Sequence, residues 1–476
     1  MIEFAPYVPN LSDSLTPNRP AAPFLREIWQ AVGGDADFLQ HLEFSDAGQG
    51  QLRSIFAVTD LAAASIGAAG LAIAEMVQQR TGNFPVVRVD RRLSSFWFHS
   101  SLRPIGWESP SLWDAIAGDY QCAGGWIRLH TNAPHHRDAA LAVLAVPADR
   151  EAVAKAVAGW QANDLETAIV GQGGCAAVMR SQLEWALHPQ GQAVAAEPLL
   201  HVALTAAVTK PAWADRINAS RPLEGVRVLD LTRVLAGPVA TRFLAGYGAD
   251  VLRIDSPTWD EPGVVPEVTL GKRLARLDLR QAEGRAILKA LLQQTDVLVH
   301  GYRPEALARL GLDAQTRRRL NPGLVDVCLD AYGWSGPWCG RRGFDSLVQM
   351  SSGIADAGMR RWNRDRPTPL PVQALDHATG YIMAAAVIRG LVMRLQTGMG
   401  NEMRASLART ATLLTSQSVA SPQKDLQVES IDDLADAIEL TAWGSARRLK
   451  PPVFIDGAPM QWARPAGVLG SAPAAW

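Results

Sequence analysis

Asp376 stands in the run Ala374-Leu375-Asp376-His377-Ala378-Thr379-Gly380, at the head of an alanine-rich stretch with helical spacing. A carboxylate at a helix N-terminus is stabilised as an anion by the helix dipole and the free N–H groups. With an ordinary pKa of about 3.9 it is ionised at pH 7. Such a group can act as a covalent nucleophile or simply cap the helix. A second aspartate, Asp60, opens a parallel run: residues 58–82 (VTDLAAASIGAAGLAIAEMVQQRTG) share with residues 374–398 (ALDHATGYIMAAAVIRGLVMRLQTG) the aspartate, the helix length and a closing Thr-Gly. The pair is either two unrelated alanine-rich helices or a partial internal duplication.

Other reactive residue types suggest less. Cys122, Cys175, Cys328 and Cys339 are too few and scattered for a disulfide framework, which argues for a reducing cytoplasm, and no pair has metal-ligand spacing. His130, His135 and His136 have no carboxylate or cysteine at ligand spacing, so they are expected on the surface and no metal is expected. Neither G-x-G-x-x-G nor a Walker A pattern occurs, and residues 171–174 (GQGG) are expected to form a simple loop. Lys+Arg is 46 against Asp+Glu 47, a net charge of -1, which gives no field for nucleic acid or an anionic membrane. The 15 tryptophans do not interleave with basic clusters, so single strands have no stacking platform. The N-terminus (MIEFAPYVPN) does not read as a signal peptide, and the apolar run 61–74 is short for a membrane span and predicts a buried helix.

The elements that must hold these residues follow from periodicity. With 476 residues, 48% hydrophobic and 20% charged, the chain is globular and long enough for two or three domains. An amphipathic helix is expected near 24–32, the long helix opened by Thr59-Asp60, and a strand at 85–90. Residues 112–200 read as a small α+β domain, with a hairpin in YQCAGGWIRLH and helices in AALAVLAV and REAVAKAVAGWQ; residues 201–221 lack periodicity and read as a linker. From residue 222 strands and helices alternate: GVRVLDL, PVATRFLAGYG, ADVLRID, EGRAILKALLQQ, DVLVHGY, RPEALARLG, LVDVCLDAYG. This predicts an α/β fold, an open, mostly parallel, Rossmann-like sheet with helices on both faces, whose ligands lie at the strand ends near 232–238 and 300–304.

Six motifs in order carry a resemblance: GVRVLDLTRVLAGPVATRFLAGYGADVLRID, GKRLARLDL, DVLVHGYRPEALARLGL, NPGLVDVCLDAYGWSGP, RRGFDSLVQMSSG and ALDHATGY. Over about residues 222–418 the chain resembles the class III CoA-transferases, the formyl-CoA transferase-like family. GGWIRLHTNAPHHR through EWALHPQGQAVAAE resembles that family's small domain, which here precedes the sheet instead of following it. The resemblance implies residues 1–111 as an N-terminal segment with a partial copy of the large domain, 222–418 as the CoA-binding domain, and 419–476 as a tail returning to it.

The same resemblance implies Asp376 as the nucleophile in CoA transfer between carboxylic acids. It implies acyl-CoA as substrate and no tightly bound cofactor. Asp60 is expected to be structural, since no LAGP turn precedes it. For CoA it implies the backbone of Val234, Leu235 and Ala236, the cations Lys272, Arg309 and Arg342 near the phosphates or pantetheine arm, and Tyr302 beside the nucleotide. The usual Asn-Phe at that strand end is here Gly301-Tyr302. Family dimers are interlocked, so the chain either dimerises or imitates half of that arrangement internally. Two alternatives share the fold: a silent CoA-binding subunit, and an α-methylacyl-CoA racemase. The resembling racemases carry a His before the Asp of G-x-D, where this chain has Gly343-Phe344-Asp345. His377 is a poor substitute, because neighbours on a helix do not share a face.

Overall fold

The computed structural model describes residues 21–45, 50–207, 211, 213–417 and 424–476; the signal-peptide expectation concerns residues outside them. The N-terminal segment gives β1 (Leu42–Ser45), β2 (Val87–Asp90) and β3 (Leu102–Pro104), and the next stretch β4 (Gly118–Cys122), β5 (Gly125–Leu129) and β6 (Ala176–Val178). Then follow β7 (His201–Ala207), β8 (Arg227–Leu231), β9 (Asp250–Asp255), β10 (Arg273–Arg276), β11 (Val297–His300), β12 (Val325–Asp330) and β13 (Met399–Ser406). The tail adds β14 (Leu434–Thr441), β15 (Gly444–Leu449) and β16 (Val453–Ile455).

The central sheet has seven strands in the order β10-β9-β8-β11-β12-β13-β7, all parallel except the β13–β7 pair. Its inner strands are near-continuous apolar runs, every residue of β11 being buried, because helices cover both faces. The order reverses between β8 and β11, which opens a crevice at their carboxyl ends.

Residues 201–221 are not simply a linker: they begin with β7, the antiparallel edge strand. The larger apolar residues of β7, Val202 and Leu204, are about half exposed, so its alternation does not mark an inner face and carries little signal. The tail does more than return to the large domain. β14 and β15 form a sheet with β3, and β16 pairs with β2, so the tail first covers strand edges of the N-terminal segment that would otherwise stay open. Only then does it reach the Ala236–Gly246 helix, where Trp462 donates to the Arg242 carbonyl (2.9 Å).

Two 24-residue helices form the spine, Val58–Thr81 and Ala374–Thr397. Both are long and apolar enough to cross a membrane, yet both are enclosed by protein. The first exceeds the apolar run 61–74 at each end, because Thr59, Asp60 and Glu75 are buried with it, and it starts at Val58 without a side-chain cap. The two pack against each other, and each ends on a left-handed glycine, Gly82 (φ 75°) and Gly398 (φ 70°). On its other side the first helix lies on the β1-β2-β16 sheet so closely that a Cβ on Gly67 would stand 2.8 Å from Leu42.

A separate core built from β4, β5, β6 and the helices Pro134–Leu144, Arg150–Ala158 and Ala162–Gly171 gathers Ile127, Leu129, Val153, Leu165 and Ile169. It meets the central sheet through Arg342, which donates to the Gly173 carbonyl (2.9 Å), and Arg341, which donates to that of Ala176 (3.0 Å).

Asp60, the counterpart of Asp376 in the first helix, is buried and accepts from Nε of Arg91 (3.0 Å) and from its Nη2. Removing one member of a buried ion pair leaves the other charge without its counter-ion, so Asp60→Ala should cost roughly 3 kcal/mol. Denaturant titration should show that loss, while the far-ultraviolet circular dichroism below the new transition is retained.

Candidate functional site

The crevice is built first by the turn after β8. Val234 adopts φ 63°, a strained conformation for a β-branched residue, and its N–H donates to Glu261 Oε2 (2.9 Å). Glu261 also accepts from Trp259 Nε1 (3.0 Å) and pairs with buried Arg253, so an ionic network fixes the turn. The resulting cleft, about 360 Å³, is lined by Thr232–Gly237 from this turn and by Gly301, Tyr302 and Arg303 after β11. Asp330, Arg342, Phe344 and Asp376 complete its floor and far wall.

Of the residues named for CoA, Val234, Leu235, Ala236, Tyr302 and Arg342 line this cleft. The Val234 N–H is already committed to Glu261, so it is not available to a ligand. Two cations lie elsewhere. Lys272 is buried beneath the sheet, where Nζ donates to Asp230 Oδ2 (3.0 Å) and the Pro238 carbonyl (3.0 Å), and burial brings its pKa down to about 8. It holds β8 to the next helix and contributes nothing to the cleft wall. Arg309 is two-thirds exposed and pairs with Glu305 (3.1 Å) one helical turn back. Motif order brought these two residues forward, but order does not report the direction of a side chain.

Other residues line the cleft that sequence reasoning passed over. Arg233 lies over Trp259 (4.4 Å) and Tyr302 (5.5 Å), donates to the Tyr302 hydroxyl (3.3 Å), and leaves its buried Nε without a protein partner. An arginine beside the strand-end turn was the available signal. The histidines also differ from expectation. His130 and His136 are buried, and burial holds both neutral with pKa values down at about 3; His130 stacks on Phe344 (3.7 Å) and His136 lines the cleft. The hairpin and the following helix carry them onto the face that meets the sheet, which a short ligand-spacing test does not address. Among the described residues no cluster of His, Cys, Asp and Glu could hold a metal.

Asp376 occupies the third position of its helix and is 8% exposed. The N–H groups expected to stabilise it serve another carboxylate. Asp345 Oδ2 accepts from the N–H of Leu375 (2.8 Å) and of Asp376 (3.0 Å), and its Oδ1 accepts from Gln349. Burial, together with the neighbouring Asp345 charge, raises the Asp376 pKa well above the ordinary carboxylate range. Asp345 is raised too, by burial, but its three hydrogen bonds favour its anion. The hydrogen bonds therefore favour the negative charge on Asp345 over Asp376, whose ionisation is opposed rather than free.

A second cavity, about 550 Å³, adjoins the first and shares with it Val234, Leu235, Phe344 and Asp376. Its other walls include Phe98–Ser100, Leu102 and Arg103 from the N-terminal segment, and Leu112 and Trp113.

Residues 223–436 match the family described as CoA-transferase family III, so the resemblance read from motif order is borne out over that region. The chain is similar to the human (Homo sapiens) succinyl-CoA:glutarate CoA-transferase, 33% identical over 206 residues that cover 40% of this chain and 46% of that one. It is similar to the formyl-CoA:oxalate CoA-transferase of Rhodopseudomonas palustris, 30% identical over 202 residues, 40% of this chain and 47% of that one. A crystal structure of a CaiB/BaiF family protein from Brucella suis is 27% identical with a TM-score of 0.38, covering 48% of this chain and 65% of that one. The chain spans about half the length of the curated relatives it matches.

The two groups of cations should separate on substitution. Arg233→Ala should weaken CoA binding about tenfold or more, the loss of a charge-assisted contact being worth about 1.5–3 kcal/mol. Lys272→Met should lower stability with little change in the dissociation constant. Calorimetric titration with CoA alongside thermal melting reads both.

Proposed function

We propose that this chain transfers coenzyme A between carboxylic acids, with Asp376 as the covalent nucleophile. One observation carries the reading: Asp376 lies where the two cavities join, one at the sheet's switch point with Arg233, Tyr302 and Arg342 in its walls, the other largely apolar. A thioester carbon at that junction has its CoA arm on one side and its acyl group on the other. The sheet supports this. Counting from β8, its parallel strands run 3-2-1-4-5-6, the doubly wound Rossmann-like order, with CoA at the switch point.

In the proposed sequence the Asp376 carboxylate attacks the acyl-CoA carbonyl, forming an aspartyl–acyl anhydride and releasing CoA thiolate. The thiolate attacks the aspartyl carbonyl, giving an aspartyl-CoA thioester and the free acid. An incoming carboxylate attacks that thioester, forming a second anhydride and thiolate, and the thiolate takes the new acyl group while Asp376 is restored. Each step exchanges one carboxylate or thiolate for another, so a single nucleophile is enough. Racemisation would need an acid and a base on opposite faces of the α-carbon. Phe344 carries no proton, and burial brings the His377 pKa down to about 3, which makes it a poor base at neutral pH.

Both cavities are walled by one chain, so a site complete without a partner subunit belongs to this proposal. So does a reducing, cytoplasmic setting, which suits the four free cysteines.

Incubation of the protein with an acyl-CoA should leave a hydroxylamine-sensitive adduct on Asp376, detected by mass spectrometry and missing in Asp376→Ala. A folded Asp376→Ala protein that still exchanges CoA would overturn the assignment. The pH dependence supplies an independent check. Asp376 must be ionised to attack, so kcat/KM should fall as pH drops through a pKa raised above the usual carboxylate range. Asp345→Asn removes the like charge that opposes this ionisation and should move the acid limb down by about one pH unit.

A further inference from the structure

The 550 Å³ cavity is larger than its neighbour, and its walls select among acids. We propose that it is the acyl and acid site and that it takes a bulky, apolar, aryl-bearing monocarboxylate in preference to a dicarboxylate. The catalytic part of this inference rests on the transferase reading above; the choice of occupant rests on the walls.

Phe344 and Trp113 supply aromatic surface, and Val372 and Leu112 aliphatic surface. Phe98 is wholly buried in the same wall, stacked on His377 (5.2 Å) and Tyr381 (6.2 Å). A ring entering beside Asp376 meets the Phe344 and Trp113 rings, which suit offset or edge contacts. Among the described residues of this lining, no lysine or arginine is left unpaired to hold a second carboxylate. Arg103 lines the cavity, but its Nε and Nη2 are taken by Glu429 and its Nη1 donates to the carbonyls of Ser100 and Leu102 (2.8 Å each). Glu267 in the same wall is already matched by Arg242 and Arg448. His130 and His377 are kept neutral by burial, and His99 stands exposed to solvent. Asp345 and Asp376 add charge of the wrong sign. A distal carboxylate would thus be stripped of water without a counter-ion, an arrangement folded proteins avoid.

Ser346 Oγ is buried in this lining without a hydrogen-bond partner, while His377 is wholly buried and presents no accessible nitrogen to a guest.

The test compares 3-phenylpropanoate with glutarate as CoA acceptors from acetyl-CoA, and measures direct binding of each free acid by calorimetry. The aryl acid should be the better acceptor by at least tenfold in kcat/KM. Trp113→Ala, at a partly exposed position, should raise its KM about tenfold, with a far smaller rise in the KM for acetyl-CoA, whose acyl group is too short to fill the cavity. Equal or better use of glutarate, or a Trp113→Ala protein with unaltered KM for the aryl acid, would overturn the proposal while leaving CoA transfer intact. If no pair of substrates exchanges CoA, yet the aryl acid binds and Trp113→Ala weakens it tenfold, the cavity assignment stands and the transferase reading falls. Absence of both transfer and aryl-acid binding overturns the two together.

Discussion

The packing of the two long helices against each other is the contact on which the site depends. Both helices are rich in alanine, and their contact is tied by a buried ion pair from Arg389 to Glu75. Arg389 reaches on to the Gly33 carbonyl (2.6 Å), binding the N-terminal helix region to the same spine. Because the first helix is fixed this way, the chain that follows it, through Phe98 to Trp113, is laid over Asp376. The wall of the larger cavity is therefore a consequence of helix packing far from the chemistry.

Within that frame Asp376 is held in surroundings unfavourable to its anion. Asp345 takes the helix N–H groups, and Asp376 is left beside it with little water and a charged neighbour. Asp60, in the matching position of the other helix, has Arg91 against it instead. The same residue type in the same helical position thus has two fates, set by whether the nearest partner is an acid or a base. An ionised aspartate paired with arginine gains stability and loses nucleophilicity; one beside another acid gains reactivity once deprotonated.

Much of this was legible in the sequence, and the parts that were not have physical causes. Strands such as VLVH announce themselves because burial on both faces demands unbroken apolar runs, and the order of motifs located the turn after β8 and Asp376. β7 was hidden because an edge strand with its larger apolar side chains exposed need not show an inner-face pattern. Lys272 was misplaced because a lysine after a glycine turn reads the same whether it points into a cleft or is buried against Asp230. The buried His130 and His136 and the wall from Phe98 to Trp113 depend on contacts between segments remote in sequence, which local spacing does not encode. The Asp345–Asp376 pairing was missed for the same reason, since thirty-one residues separate the carboxylate from the N–H it accepts.

Glu267 ties together parts of the chain made at very different times. Its carboxylate receives the N–H of Ser101 and Leu102 (3.1 Å each), a guanidinium of Arg242, and Nη1 of Arg448 (3.0 Å). During synthesis the first of these segments leaves the ribosome more than three hundred residues before the last. The central sheet can assemble early, but the larger cavity keeps a loose wall until Arg448 arrives, since until then the knot lacks one of its two cations. A nascent or C-terminally clipped chain would thus carry Asp376 and the cleft at the switch point of the sheet while the wall of the larger cavity stayed open to water. Completion of the chain is, for this protein, also the moment at which that wall closes.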